Sequence, residues 1–406
     1  MNNSPLEFLA KKYGNVVKYD NEGNVAGIFV RFYKRKSSDL VAGLPEHTHP
    51  AFIINGVEQD SILLGKYKVG ENGETNGPLI SMPNIMPARS IGADQMLTRI
   101  KAAGPGITGM TVADYGFIKL LAQKEGWVPK GNTYWGQSHK DGTAWKVNES
   151  VSINTERAYE GYVYKCLIAH TTTVELKPDI APKYWQKGKY IGGISQDTAK
   201  DNDRQTGYRT LNGSGPLSWY LGNDLGNMSD IIGSSLEQQY GCRIYDCEIH
   251  VIENNNAADP NADLSASSAA WKAILPNKSD DGYTLVAPGT PGTLHWNWTG
   301  SKVQLDTQCD ALESGEYRGT SFKDLTANTE RLPYVPHIVK ELGLFPTGSD
   351  DKTEGWFSVY MGKGERFPRR GGGYYNPSSA GLGCVSSNGT RGSDYAHCGG
   401  RSRSLD

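Results

Sequence analysis

Residues 106–132 read GITGMTVADYGFIKLLAQKEGWVPKGN. Thr111 precedes an apolar run and Asp114 follows three residues later, so hydroxyl and carboxylate can satisfy orphan backbone N–H groups at a helix start. Tyr115, Ile118, Leu121 and Ala122 recur on one helical face, and Gly126 supplies a stop. The stretch predicts one well-bounded helix.

On either side the signals change period. NVVKYDNEGNVAGIFVRFYK, residues 15–34, alternates apolar and polar positions around the turn DNEGN, and residues 1 to about 45 read as short strands and turns. HPAFIINGVEQDSILLGKYKV, residues 49–69, offers two short strands flanking NGVEQD. RIYDCEIHVI predicts a strand with Tyr245, Cys247, Ile249 and Val251 on one face, and TLHWNWTG one with Leu294, Trp296 and Trp298 aligned. ADLSASSAAWKAIL, residues 262–275, predicts a second helix, and PHIVKELG a short third one from Pro336 to Gly343. Antiparallel strands, long loops and few helices together predict an α+β protein.

The chain has 406 residues, 37% hydrophobic and 21% charged, with a formal net charge of −2. That balance gives no broad basic field for nucleic acid. The short basic runs YKRK and RFPRR read as solvated faces. No apolar run approaches the roughly 20 residues needed to cross a bilayer, and the start MNNSPLEFLAKKYGN lacks a signal-peptide layout. Six cysteines, none in a CxxC pair, argue against a disulfide scaffold or zinc ribbon. Gly at 49 and Tyr at 22 point to many turns and to aromatic surfaces able to bind something.

The usual chemical signatures are weak. Glu46, His47 and His49 in EHTH could ligate a metal, but no third ligand stands nearby in sequence. Glu253, Asn254, Asn255, Asn256 and Asp259 could offer oxygens to calcium, yet their spacing fits no EF-hand. Cys384 and Cys398 near His397 lack a third, orienting group. The chain has no nucleophile elbow, P-loop or dinucleotide fingerprint. No catalytic residue, metal or cofactor is expected.

The tail is the unusual part. From Arg369 to Asp406 there is no Lys, Glu, Gln, Met or Trp, where ordinary usage would place several. Four blocks precede or form it in order: residues 106–138, GSGPLSWYLGNDLGNMSDIIGSSLEQQYGCRI, YDCEIHVIENNNAAD, and the tail from RFPRRGGGYY. In this order they resemble the formylglycine-generating-enzyme branch of the C-type lectin fold. The corresponding positions are Met110-Thr111, Pro129 to Asn132, Asp230 to Gln239, Arg370 to Tyr374, Ala380-Gly381 and Gly399 to Arg401. More narrowly, the chain resembles the variable proteins of diversity-generating retroelements, in which a reverse transcriptase rewrites adenines in a C-terminal repeat. Randomising the adenines of AAC and AAT codons cannot yield Lys, Glu, Gln, Met or Trp, the five types missing here. Two departures stand out. GSSLEQQY replaces the usual Gly-Asn-x-Trp-Glu-Trp, and Cys384 and Cys398 are too far apart in sequence for the enzymes' cysteine pair.

The resemblance implies a framework of Arg370, Gly371, Gly372, Ala380, Gly381, Gly399 and Arg401. Between these lie candidate varied, solvent-facing ligand positions: Gly373, Tyr375, Asn376, Ser379, Gly383, Cys384, Ser386, Asn388, Gly389, Ser393, Asp394, Tyr395, His397 and Cys398. Such a face, rich in Tyr, Ser, Gly and Asn, matches the chemistry of antibody paratopes. The implied protein is a non-enzymatic adhesin of a phage tail tip, located in the virion or alternatively on a bacterial surface. Its implied partners are a bacterial surface protein or glycan and other tail proteins, in a homo-oligomer that is a trimer by analogy. The implied division is 1–48 for attachment, 49–141 and 189–406 for the lectin fold, with the variable region at 370–405. Residues 142–188 form an inserted module, AWKVNES to KYWQKG, resembling small chitin-binding domains. Two other functions stay open: glycan binding by that module, or an oxidase of the formylglycine-generating type using Cys384.

Overall fold

The computed structural model describes residues 5–194 and 209–406. Residues 1–4 of the expected attachment segment and 195–208 of the second lectin-like part lie outside them.

The Val112–Glu125 helix starts as its sequence dictates. The Thr111 hydroxyl accepts the Asp114 N–H at 3.1 Å, and the Asp114 carboxylate accepts the Thr111 N–H at 3.0 Å. Gly126 closes the helix at φ +65°. Its apolar surface is wider than one face, because Val112 through Leu120 are all buried. A helix buried on nearly all sides belongs inside a core, and this one lies in a large apolar cluster. Phe117 meets Phe32 and Phe52 with ring centroids 5.7 and 4.9 Å apart. On the buried Lys119, the ammonium pairs with Asp351 at 2.7 Å, both side chains fully excluded from solvent.

One sheet has five strands in the order Asn15–Tyr19, Val25–Tyr33, Ser61–Lys68, Arg401–Ser404, Ile107–Gly109. All neighbouring pairs are antiparallel. The N-terminal hairpin therefore shares a sheet with the last strand, and a division at residue 48 cuts through that sheet. A larger, thirteen-stranded sheet runs from Glu316–Ser321 through Trp356–Met361, Gly381–Gly389, Glu365–Gly371, Cys242–Tyr245 and Glu248–Ile252 to His295–Trp298 and beyond. The molecule is α+β and strand-rich. Among the described residues no helix is long and apolar enough to cross a membrane.

Several expectations are corrected. Residues 5–12 are a helix, opened by Pro5 at its first turn, where proline's missing N–H costs nothing. Residues 262–275 are not a helix. Asp263 and Ser268 accept the N–H groups of Ser265 and Ala270, local turns that compete with helix, and Trp271–Pro276 pairs as a strand. RIYDCEIHVI is a hairpin rather than one strand. Asp246 and Cys247 turn it at φ +50° and +67°, and Cys242 faces Val251 across it. The run RFPRR is no solvated face either, since Arg369 and Arg370 are 1% and 0% exposed. Leu294 and Trp296 are buried together as expected, as is the helix at His337–Glu341. Residues 142–188 contain an apolar cluster of their own, which buries both Trp145 and Trp185.

Candidate ligand-binding site

Successive side chains of a strand point to opposite faces. On Gly381–Gly389, which lies between Trp356–Met361 and Glu365–Gly371, this places Cys384, Ser386 and Asn388 along the wall of a cavity of about 310 Å³. Tyr375, Asn376 and Ser379 reach the same cavity from the preceding loop, and Tyr395 and His397 from the following one. Eight of the fourteen expected ligand positions thus converge on one concavity. Its mouth carries Tyr317, Trp356 and Tyr395, which are 56%, 45% and 40% exposed.

Rigid elements hold the two loops. Gly371 and Gly372 turn at φ +86° and +83°, where a Cβ would meet the Ile231 carbonyl at 2.4 Å and Ala380 at 2.5 Å. The Asn376 side chain then accepts the Gly373 N–H at 2.8 Å, and Trp135 N–H donates to the Tyr374 carbonyl at 2.8 Å. Arg370, fully buried, donates to the carbonyls of Gly343 and Leu382 and lies 4.4 Å from the Tyr115 ring centroid. In the second loop Arg391 grips Glu365 through two nitrogens at 3.0 and 2.9 Å and donates to Asp94 at 2.6 Å. Arg369 donates to Gln238 at 3.1 Å and to the Ser393 carbonyl at 3.2 Å, with its guanidinium 5.1 Å from the Tyr395 ring.

The cavity is aromatic, with the Arg369 guanidinium as the charged group in its lining. His397 stacks on Tyr395 at 5.4 Å and 4° and meets Tyr375 edge-on at 5.2 Å. Burial, with the Arg369 charge, holds the His397 imidazole below its ordinary pKa, so it is uncharged at neutral pH. Burial pushes Cys384 up to about 12, Cys398 up to about 11 and Tyr375 up to about 12. A protonated, buried thiol is a poor nucleophile. Cys384 and Cys398 instead pack with Leu236 in a small apolar cluster. Asn388 Oδ1 is buried without a protein donor, which leaves an acceptor on the cavity wall.

The remaining expected positions divide. Asp394 is exposed and Ser393 half-buried on the second loop. Gly373, Gly383, Gly389 and Cys398 are buried, as is Cys384, so these five do not face solvent. A Cβ on Gly383 would stand 2.6 Å from Phe322, and one on Gly389 2.0 Å from the Arg369 guanidinium. Sequence reasoning missed Tyr317, Trp356, Ser358 and Arg391. The alternation in WFSVYM was a usable signal, since Trp356, Ser358 and Tyr360 face out while Phe357, Val359 and Met361 are buried.

Other candidate chemistry lies elsewhere. A larger cavity, about 810 Å³, contains no tail residue. On its wall Arg243 Nε donates to His250 Nδ1 at 3.1 Å, which places the imidazole proton on Nε2, 2.6 Å from Glu248. Three of the five supposed calcium ligands are engaged internally, and Glu253 is exposed. Asn255 donates to Asp114 and the Ala51 carbonyl, Asn256 accepts from the Asn55 N–H, and Asp259 accepts from the Asn55 amide. His49 is fully buried, accepting the Ala51 N–H and donating to the Glu341 carbonyl.

No family model matches this chain, and no curated protein matches it.

Proposed function

We infer that the chain is a non-enzymatic ligand-binding protein of C-type lectin type, in the formylglycine-generating-enzyme-like branch. Its C-terminal face is diversified by a retroelement, and it serves as a receptor-binding adhesin at a phage tail tip. One observation carries this reading. Eight positions of the compositionally biased tail converge on a single aromatic-mouthed cavity, while the framework arginines and glycines between them are buried. Rigid rings with small polar partners bind varied surfaces at low entropic cost. Repeated copies in an oligomer raise avidity without new contacts, and a bacterial surface protein or glycan is the partner class. The high thiol pKa values at Cys384 and Cys398 weigh against oxidase chemistry. Burial of Trp145 and Trp185 weighs against glycan binding by the inserted module.

The test is the coding DNA. A near-identical repeat beside a reverse-transcriptase gene, differing from codons 370–405 only at adenines, establishes diversification. Absence of such a repeat overturns it.

A further inference from the structure

His47 belongs to the EHTH motif, for which the sequence offers no third ligand. Folding brings one from nearly three hundred residues away. The short His337–Glu341 helix sets its first and last side chains on one face, and this face meets His47. One ring nitrogen of His47, one of His337 and a carboxylate oxygen of Glu341 all lie within 4.8 Å of one another. Among the described residues this is the one such three-ligand group.

The hydrogen bonds around it leave two lone pairs face to face. His337 Nδ1 is 2.9 Å from the Asp281 carbonyl and must donate to it, so in the neutral imidazole Nε2 is the free lone pair. That Nε2 looks toward Glu341 Oε2 at 3.9 Å. Glu341 is fully buried, and its Oε2 has no hydrogen-bond donor. The other oxygen, Oε1, accepts from Ser37 and lies 2.6 Å from His47 Nε2. A buried carboxylate oxygen opposite an imidazole lone pair calls for a cation between them. Two donors each about 2.0–2.1 Å from one tetrahedral zinc ion stand roughly 3.3 Å apart, so the pair needs to close by only about half an ångström to share it. The Asp281 carbonyl also supplies the outer hydrogen bond that orients a metal-bound imidazole.

We propose that His47, His337 and Glu341 bind one divalent transition-metal ion of the zinc class. The ion joins the segment around Ser37–His49 to the 337–341 helix. The His47 side chain is 43% exposed, so the group lies where an ion can reach it from solvent. Two imidazoles and one carboxylate favour zinc or cobalt over calcium or magnesium, which prefer oxygen alone.

The experiment uses the full chain, stripped by chelator dialysis and titrated with Co²⁺ as the spectroscopic probe, then with Zn²⁺. The expected result is one equivalent bound, with visible Co²⁺ bands of a four- or five-coordinate site that Zn²⁺ abolishes. Zn²⁺ should raise the thermal midpoint, as any ligand of the native state does. His47→Ala and His337→Ala should each weaken binding at least tenfold and remove the midpoint shift, while His295→Ala leaves both unchanged. The exposed position of His47 keeps its variant folded if His337→Ala is not. Absence of bands and of any shift in the wild type overturns the proposal, as does equal binding by the His47→Ala protein.

Discussion

Arg401 and Glu237 form a two-pronged ion pair with no solvent exposure on either side. Arg401 Nη2 stands 2.7 Å and Nε 3.1 Å from the Glu237 carboxylate, and Lys68 Nζ adds a third contact at 2.7 Å. Glu237 belongs to GSSLEQQY, Lys68 to the first half of the chain and Arg401 to its final strand. Three distant segments thus meet on one carboxylate. Removing one partner of a buried pair leaves charge unpaired, at a cost of about 3–5 kcal/mol. Glu237→Ala should lower unfolding stability by that amount, read from a urea transition.

The same carboxylate sets an acid limit. Burial alone would raise its pKa, but Arg401 and Lys68 outweigh burial and hold it below the ordinary value of 4.5. A depressed folded-state pKa gives stability that is complete above the unfolded value and lost as pH falls through the folded one. Stability should therefore decline in the acid range below about pH 4. The Glu237→Gln protein, less stable at neutral pH, should show a flatter profile there.

Strand Gly381–Gly389 should tolerate change on one face only. Substitutions at Ser386 and Asn388 alter the cavity wall and should shift stability by less than about 1 kcal/mol. Gly389→Ala drives a methyl into the Arg369 guanidinium, and Gly383→Ala drives one into Phe322. Each should cost about 1–3 kcal/mol. Natural variants of the tail should accordingly vary at 384, 386 and 388 and stay fixed at 383 and 389. Variation at 383 and 389 equal to that at 386 would contradict this arrangement.

The exposed rings at the mouth should dominate binding. Tyr395→Ala or Trp356→Ala should each weaken binding to host cells by about thirtyfold or more, the effect of losing about 2 kcal/mol at an anchor. The thermal midpoint should barely move, because both rings are partly solvated.

Alkylation should sort the cysteines. Cys309 is partly exposed, and its neighbour Cys247 lowers its pKa. Cys242, Cys384 and Cys398 are buried with raised pKa values. Iodoacetamide on the native protein should label Cys309 first, read by peptide mass, with the other three labelled only after unfolding.

The long helix was legible because its cap, apolar run and terminal glycine agree on one boundary. The α+β class was legible from strand alternation, whereas composition marked the tail without showing which of its positions line the cavity and which are buried. The hairpin at Asp246-Cys247 was hidden because two non-glycine residues adopt left-handed backbone there. The false helix at 262–275 arose because the Asp263 and Ser268 side chains each accept a backbone N–H two residues on, a choice that periodicity does not record. The burial of Arg369 and Arg370 was invisible because their partners are mostly backbone carbonyls and rings from other segments. His47 was read without His337 and Glu341 because sequence distance conceals such meetings.

Strand Arg401–Ser404 fills the gap between Ser61–Lys68 and Ile107–Gly109. It also follows both cavity loops in the chain. During synthesis that sheet stays split, with two open edges, until the ribosome has passed the cavity region. A frameshift or stop codon arising there would leave the edges unpaired, the condition that invites aggregation and proteolysis. Folding of this sheet therefore reports on the whole tail, because it closes only when the chain has been read intact through both cavity loops.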